Sequence, residues 1–205
     1  MLQGIRRIAF VAFSSFAVFS GPVTAAGGEN EAVGPIANLY RALFETMQQA
    51  KQLGVKGRFD KLTPALTAAY DIPSMAKASV GPGWDALQPQ QQAGIVEAFT
   101  RLLIANYANR FDGYSGERFE ITQAADQANG KLVMTQIVQS NGKATPLNYV
   151  MRQGQAGWHV VDVYLDGTIS ELASRRAEFT SILKSGGPDA LIASLRKQGD
   201  KLLGG

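Results

Sequence analysis

The apolar positions change their spacing twice along this chain. Ile36, Tyr40, Leu43, Met47 and Ala50 recur at three and four residues, the spacing of one helical face, and predict a first amphipathic helix ending near Gly54. The stretch "RFDKLTPALTAAYDIPSMAKASVG" keeps helical spacing but holds Pro64 and Pro73. It is expected as shorter helices interrupted at those residues, because a proline ring does not continue a helix interior. "GPGW" makes a turn, and Pro89 suits the first turn of a long helix through "QQQAGIVEAFTRLLIANYANRF". Its apolar positions Ile95, Val96, Phe99, Leu102, Leu103 and Tyr107 form an unusually wide stripe.

At "YSGERFEITQ" the spacing becomes that of a strand, every second residue. Strands are expected over Arg118–Gln123, Lys131–Ser140, Thr145–Gln153 and Trp158–Leu165, with turn chemistry at Asn129-Gly130, Asn141-Gly142 and Gly154 to Gly157. Connections this short predict an antiparallel meander. One face would carry Val133, Ile137, Val161 and Val163, and the other Leu132, Met134, Trp158 and Val160. Thr168 with Glu171 three residues on fits a capping box opening a helix through Ile169, Leu172, Phe179 and Leu183. Gly186-Gly187 break it, and Pro188 starts a last helix through Leu191, Ile192 and Leu195. Helices, four strands and helices again make the fold class α+β.

Composition narrows this. At 205 residues and 45% hydrophobic, the chain suits one domain with a full core. Its start differs in kind: Arg6-Arg7, an apolar run from Ile8 to Phe19, then Pro22 and the small-residue site Val23-Thr24-Ala25. That is the plan of a secretory signal peptide over residues 1–25, leaving a single domain over 26–205. The apolar run is short for a membrane helix, which needs about 20 residues. Removing a leader that holds two arginines and no acid leaves 18 bases against 17 acids. So balanced a chain, with no Lys/Arg cluster, is a poor match to nucleic acid, which needs a concentrated basic surface. The absence of cysteine excludes disulfides, thiolate metal sites, a cysteine nucleophile and a lipid anchor on cysteine.

Candidate chemistry concentrates in "GWHVVDVYLDGTIS", residues 157–170. His159 is the only histidine, and no second one exists for a common zinc site. On a regular two-residue alternation it points away from Asp162, and Asp166 lies past the strand beside Gly167, so no base and orienting carboxylate come together locally. Asp162 sits inside an apolar strand, where a carboxylate needs donors, and fixing a loop or helix start is its expected role. No G-x-S-x-G elbow is present for a nucleophilic serine. Arg175-Arg176 suits a solvated helix face, with a phosphate or an acidic partner as the alternative. A wide helical stripe facing a sheet can also enclose a cavity where the layers do not close.

Two long stretches carry a resemblance: "YDIPSMAKASVGPGWDALQPQQQAGIVEAFTRLLIANYANRFDGYSGERFEI" and "GWHVVDVYLDGTISELASRRAEF". In order, Asp71, Met75, Gly81, Trp84, Pro89, Phe99, Tyr107, Tyr114 and Gly116, then Trp158, Asp162, Gly167, Ser170, Arg176 and Phe179, resemble the MlaC-like periplasmic lipid carriers, the toluene-tolerance auxiliary proteins. The likeness covers roughly Arg58 to Leu203. Phospholipid carriers of this family typically read G-V-S after the last strand, whereas this chain reads Gly167-Thr168-Ile169-Ser170. The longer spacing resembles the hopanoid-associated HpnM branch.

The resemblance implies a curved sheet against helices, akin to nuclear-transport-factor-like folds, enclosing an apolar pocket for lipid tails. It implies a phospholipid or hopanoid ligand, no cofactor and no metal. The partners it implies are an inner-membrane ABC transporter complex and an outer-membrane acceptor complex. On the long helix and the inner sheet face, the expected lipid-binding residues are Phe99, Leu103, Tyr107, Val133, Ile137, Tyr149, Met151, Val161 and Val163, with Tyr40 and Met75 closing the pocket. Two other readings stand beside it: an isomerase or hydrolase using Asp162 with Tyr149 or Tyr164, and a peptide-binding, chaperone-like module.

Overall fold

The computed structural model describes residues 31–204, so the expected leader lies outside the described residues. Helix α1 (Val33–Gln48) buries Ile36, Leu39, Tyr40, Leu43 and Met47, the face its spacing predicted. Helix α2 (Ala50–Ala69) follows after a single residue. The break near its start is at Gly54, whose φ of 61° lies in the left-handed region that glycine enters without a Cβ clash.

Pro64, expected to interrupt, lies inside α2 instead. Its ring removes one backbone hydrogen bond, the donation to Asp60 O, but both residues are exposed, which leaves the freed carbonyl on the solvent side. Meanwhile Arg58, Leu62, Leu66 and Ala69 bury the opposite face and hold the helix together. Pro73 falls in the first turn of α3 (Ile72–Val80), where its missing N–H loses nothing, and Asp71 caps that turn by accepting from Ser74 N at 3.1 Å. "GPGW" opens a short 3₁₀ segment, Gly81–Ala86, and α4 (Pro89–Arg110) begins with Pro at N1 and a Gln88/Gln91 capping box.

The sheet has five strands rather than four: β1 (Arg118–Gln127), β2 (Gly130–Val138), β3 (Ala144–Gly154), β4 (Gly157–Leu165) and the two-residue β5 (Ile169–Ser170). They run in sequence order, every neighbour antiparallel. The added strand arises at Asp166-Gly167, whose φ values of 49° and 75° are both positive while Thr168 N donates to Leu165 O at 3.1 Å. Asp-Gly with two positive φ values is the chemistry of a primed hairpin turn, and it folds the chain back on β4.

Two irregularities bend the sheet. One interrupts the β1–β2 register between Ile121 and Gln123, the other the β3–β4 register between Val150 and Met151. The second overturns the expected face assignment. Val150 pairs with Asp162 but Met151 pairs with Val160, so Val161 is the extra residue and alternation reverses around it. Val160 therefore joins Tyr149, Val133 and Met151 in the core, whereas Val161 is buried outside that cluster. The same reversal puts His159, opposite Arg152, on the face of Asp162 rather than on the other one.

Helix α5 (Glu171–Leu202) is two segments joined at Gly187 and Pro188, as expected from the Gly-Gly-Pro run. Its second segment lies parallel to α4: Arg196 pairs with Glu97 at 3.2 Å and Arg101 with Asp200 at 2.7 Å. Buried Arg58 ties the helical layer together, donating to Ala50 O at 2.9 Å and to Ala108 O, near the C-terminus of α4, at 2.7 Å. The helical layer meets the sheet in two ways: the α2–α3 junction bridges the edge of β4, Asp71 N donating to Val160 O at 2.9 Å, and Tyr40 bonds Thr135 across the packed face. Among the described residues no helix is long and apolar enough to cross a membrane.

Candidate functional site: a cavity between α4 and the sheet

The helical and sheet layers do not close completely. Between α4, the strand ends and the start of α5 lies a cavity of about 320 Å³. Phe99, Leu102, Leu103, Tyr107 and Phe111 come from α4 and its end, Ile137, Leu147, Val163 and Leu165 from the sheet, and Leu172 from α5. Tyr70 and Met75 complete the apolar wall from the α2–α3 junction. On the α4 side Leu103 and Tyr107 line the opening and stay only partly buried. At a water's volume of about 30 Å³, the space holds about ten such groups, or roughly ten methylenes of one tail.

Six of the residues expected to hold lipid line this cavity: Met75, Phe99, Leu103, Tyr107, Ile137 and Val163. Tyr40, Val133, Tyr149 and Met151 lie behind the wall as packed core, and Val161 stands off it because of the β4 bulge. Absent from the expected lipid-binding residues were Tyr70, Leu102, Phe111, Leu147, Leu165 and Leu172, and the polar Asn106, Arg110, Thr145, Asp166, Glu171 and Arg175. The wide α4 stripe signalled the apolar wall. Nothing in the strand or helix periods signalled the polar residues, which come from element ends.

Four tyrosines gather in and behind the apolar wall, Tyr70 and Tyr107 lining the cavity and Tyr40 and Tyr149 behind them. Tyr70 and Tyr107 hydroxyls lie 2.5 Å apart, Tyr40 bonds Thr135 Oγ1 at 2.5 Å, and Thr135 in turn donates to Leu147 O. The Tyr149 hydroxyl is buried without a hydrogen-bond partner. Burial pushes the Tyr70 and Tyr149 hydroxyls well above the usual phenol range, neighbouring phenols adding to the effect. Burial likewise raises Tyr107, against the hydrogen bond from Tyr70, and pushes Tyr40 up to about 12. These four phenols are therefore uncharged at any physiological pH.

Asp162 is engaged elsewhere. Its Oδ1 accepts from Val163 N at 2.7 Å and Leu172 N at 3.0 Å, and its Oδ2 accepts from Ser170 Oγ at 2.7 Å. Ser170 caps α5 by accepting from Ala173 N at 2.9 Å. The carboxylate thus anchors the start of α5 to β4 and is not part of the cavity lining. His159 Nδ1 donates to Gly157 O at 3.1 Å and makes no hydrogen bond to Asp162, though both share a face. Tyr164 pairs with Asn148 on that outer face, also away from the cavity. Among the described residues no cluster of three His, Asp or Glu is poised to hold a metal.

Comparison with known proteins bears on the family and on the fold. The family model described as MlaC protein matches residues 37–197. The chain belongs to the MlaC family. Its fold is similar to that of a phospholipid-binding protein from Ralstonia solanacearum, solved in complex with a phospholipid. The two share 19% identity at a TM-score of 0.74 over 84% of this chain and 98% of that one, a likeness of fold. Comparison with curated proteins gives no significant match. The family match also spans α2, α4, the sheet and most of α5, so the whole cavity falls within it.

Proposed function

We propose that this MlaC-family chain is a periplasmic lipid carrier that keeps an acyl tail, or the ring system of a hopanoid, dry between α4 and the sheet. The observation that carries the reading is the cavity itself: largely apolar walls and a volume of about 320 Å³, with His159 and Asp162 outside its lining. Its size falls within the range of small-molecule sites. The phospholipid bound by the Ralstonia protein of the same fold supports the same ligand class here. Binding is favoured over catalysis because Asp162, the acid of the enzyme reading, is held by Val163 N, Leu172 N and Ser170 Oγ and does not line the cavity.

Burying a methylene is worth about 0.8 kcal/mol, so ten methylenes exposed to water cost about 8 kcal/mol. A carrier lowers that barrier, and the same arithmetic opposes release into solution. Loading and unloading therefore take place against membrane partners: an inner-membrane ABC transporter complex on one side and an outer-membrane acceptor complex on the other. The leader over residues 1–25 directs export and is removed, leaving residues 26–205 to diffuse in the periplasm.

Solvent extraction and mass spectrometry of the purified protein test the reading. A carrier yields stoichiometric phospholipid or hopanoid, retained in buffer and lost to acceptor vesicles or partners. Protein free of lipid even after incubation with vesicles overturns it.

A further inference from the structure

The polar residues at the cavity are unevenly paired. Arg175 is satisfied within its own helix, 3.6 Å from Glu171 and 3.1 Å from Glu178. Arg110, at the last residue of α4, is exposed and makes no side-chain hydrogen bond or ion pair among the described residues. Asp166, in the turn after β4, is also exposed and likewise unpaired. Both line the same cavity, and their exposure places them where it opens to solvent. The four charged lining residues, two arginines and two acids, cancel formally.

Nearly all polar surface side chains find water, so unpaired charge alone says little. What distinguishes this pair is that two exposed, unpaired charges of opposite sign line one cavity with largely apolar walls. Resting on the carrier reading above, we propose that the opening is built for a zwitterionic phosphodiester head group, its phosphate toward Arg110 and its ammonium toward Asp166. Arginine presents a planar fork of donors suited to phosphate oxygens, and a carboxylate accepts from an ammonium. A purely anionic head group gains Arg110 but meets Asp166 and Glu171; an uncharged one leaves both poles to water.

The turn geometry makes Asp166 a clean probe. Its φ of 49° is one that asparagine tolerates as readily as aspartate. Asp166→Asn therefore removes the charge without asking the backbone to move. Arg110→Gln removes the opposite pole at an exposed helix end, where substitution has little bearing on folding.

The test is competition for the delipidated protein from mixed vesicles, read by native mass spectrometry. The tail-matched probes are dioleoyl phosphoethanolamine, dioleoyl phosphoglycerol and dioleoylglycerol, with a hopanoid as a fourth component. Exposed ion pairs are individually weak, so the expected preference for phosphoethanolamine is about threefold to tenfold. Asp166→Asn should erase its advantage over phosphoglycerol, and Arg110→Gln its advantage over dioleoylglycerol. Equal uptake of all tail-matched lipids, or preference for phosphoglycerol or the hopanoid, overturns the head-group assignment while carriage stands. Uptake of none of the four overturns both.

Discussion

The hydroxyls of Tyr70 and Tyr107 meet at 2.5 Å in the cavity wall, joining the end of α2 to the last turn of α4. Their rings stand edge to face with centroids 6.2 Å apart. Tyr70 is 3% exposed, so removing its partner leaves a buried hydroxyl without a hydrogen bond. Tyr107→Phe should cost about 1–3 kcal/mol by urea unfolding, and the Tyr70→Phe/Tyr107→Phe double variant should cost clearly less than the sum of the single ones. Strict additivity would mean that the two hydroxyls are not coupled.

Alkali should find the tyrosine cluster. The Tyr40 hydroxyl is raised from about 10 in an unfolded chain to about 12 by burial. A raised phenol contributes its stability in full below pH about 10 and loses it as the pH rises toward 12, because the unfolded chain ionises first. From Tyr40 alone the loss is roughly 2–3 kcal/mol, and Tyr70 and Tyr149 shift in the same direction. Unfolding midpoints measured across that window should fall steeply, and Tyr40→Phe should flatten the fall. A profile identical to wild type in that variant would assign the alkaline loss to other groups.

Asp162→Asn separates anchoring from catalysis. The amide keeps one acceptor for Val163 N and Leu172 N but gives up the charge that strengthens both bonds and the one from Ser170. Stability should drop by about 1–3 kcal/mol, with hydrogen exchange rising at the first turn of α5. Lipid occupancy of the folded fraction should be unchanged. Lost lipid binding at intact stability would place Asp162 in the site.

Filling the cavity should block it. Leu103 is a cavity-lining, partly buried residue of α4, so Leu103→Trp can project its ring into empty space rather than into packed core. Lipid occupancy should fall at least severalfold while unfolding stays cooperative. Val161→Ala, outside the core cluster at the β4 bulge, should leave occupancy as in wild type. Loss in both variants alike would point to general destabilisation instead.

Arg58 offers a stability test with no bearing on the cavity. It is 8% exposed and hydrogen-bonded to two backbone carbonyls, from α2's first turn and the end of α4. Arg58→Met, close in length but without donors, should cost about 2–4 kcal/mol in thermal or urea unfolding, because both carbonyls lose a charged donor. A loss under about 0.5 kcal/mol would show that water replaces the guanidinium there.

Much of this was legible along the chain, for reasons that are local. The faces of α1 and α4 follow from apolar spacing, and the hairpins follow from short polar connections rich in Gly and Asn. Pro73, Pro89 and Pro188 mark helix starts because each sits where an N–H has no intrahelical partner. Pro64 misled because the same rule, applied without knowing which side faces water, overstates the loss of one exposed hydrogen bond. The role of Asp162 was readable from its chemistry, an acid in an apolar strand, while its partners at Ser170 and Leu172 depended on the chain returning through Asp166-Gly167.

By itself, then, the order of residues determined the main helices, the four long antiparallel strands and the family, though not the short β5 at Ile169–Ser170 where a helix start was expected, since hydrophobic period, turn chemistry and ordered motif residues all act over short spans of chain. The tertiary structure alone decided which residues share a face of β4, because one extra residue at Val161 reverses alternation and leaves no mark in composition. It alone also separated wall from core: Val163 and Val133 are the same side chain on the same kind of strand, and only the distance between two packed layers makes one border a cavity and seals the other.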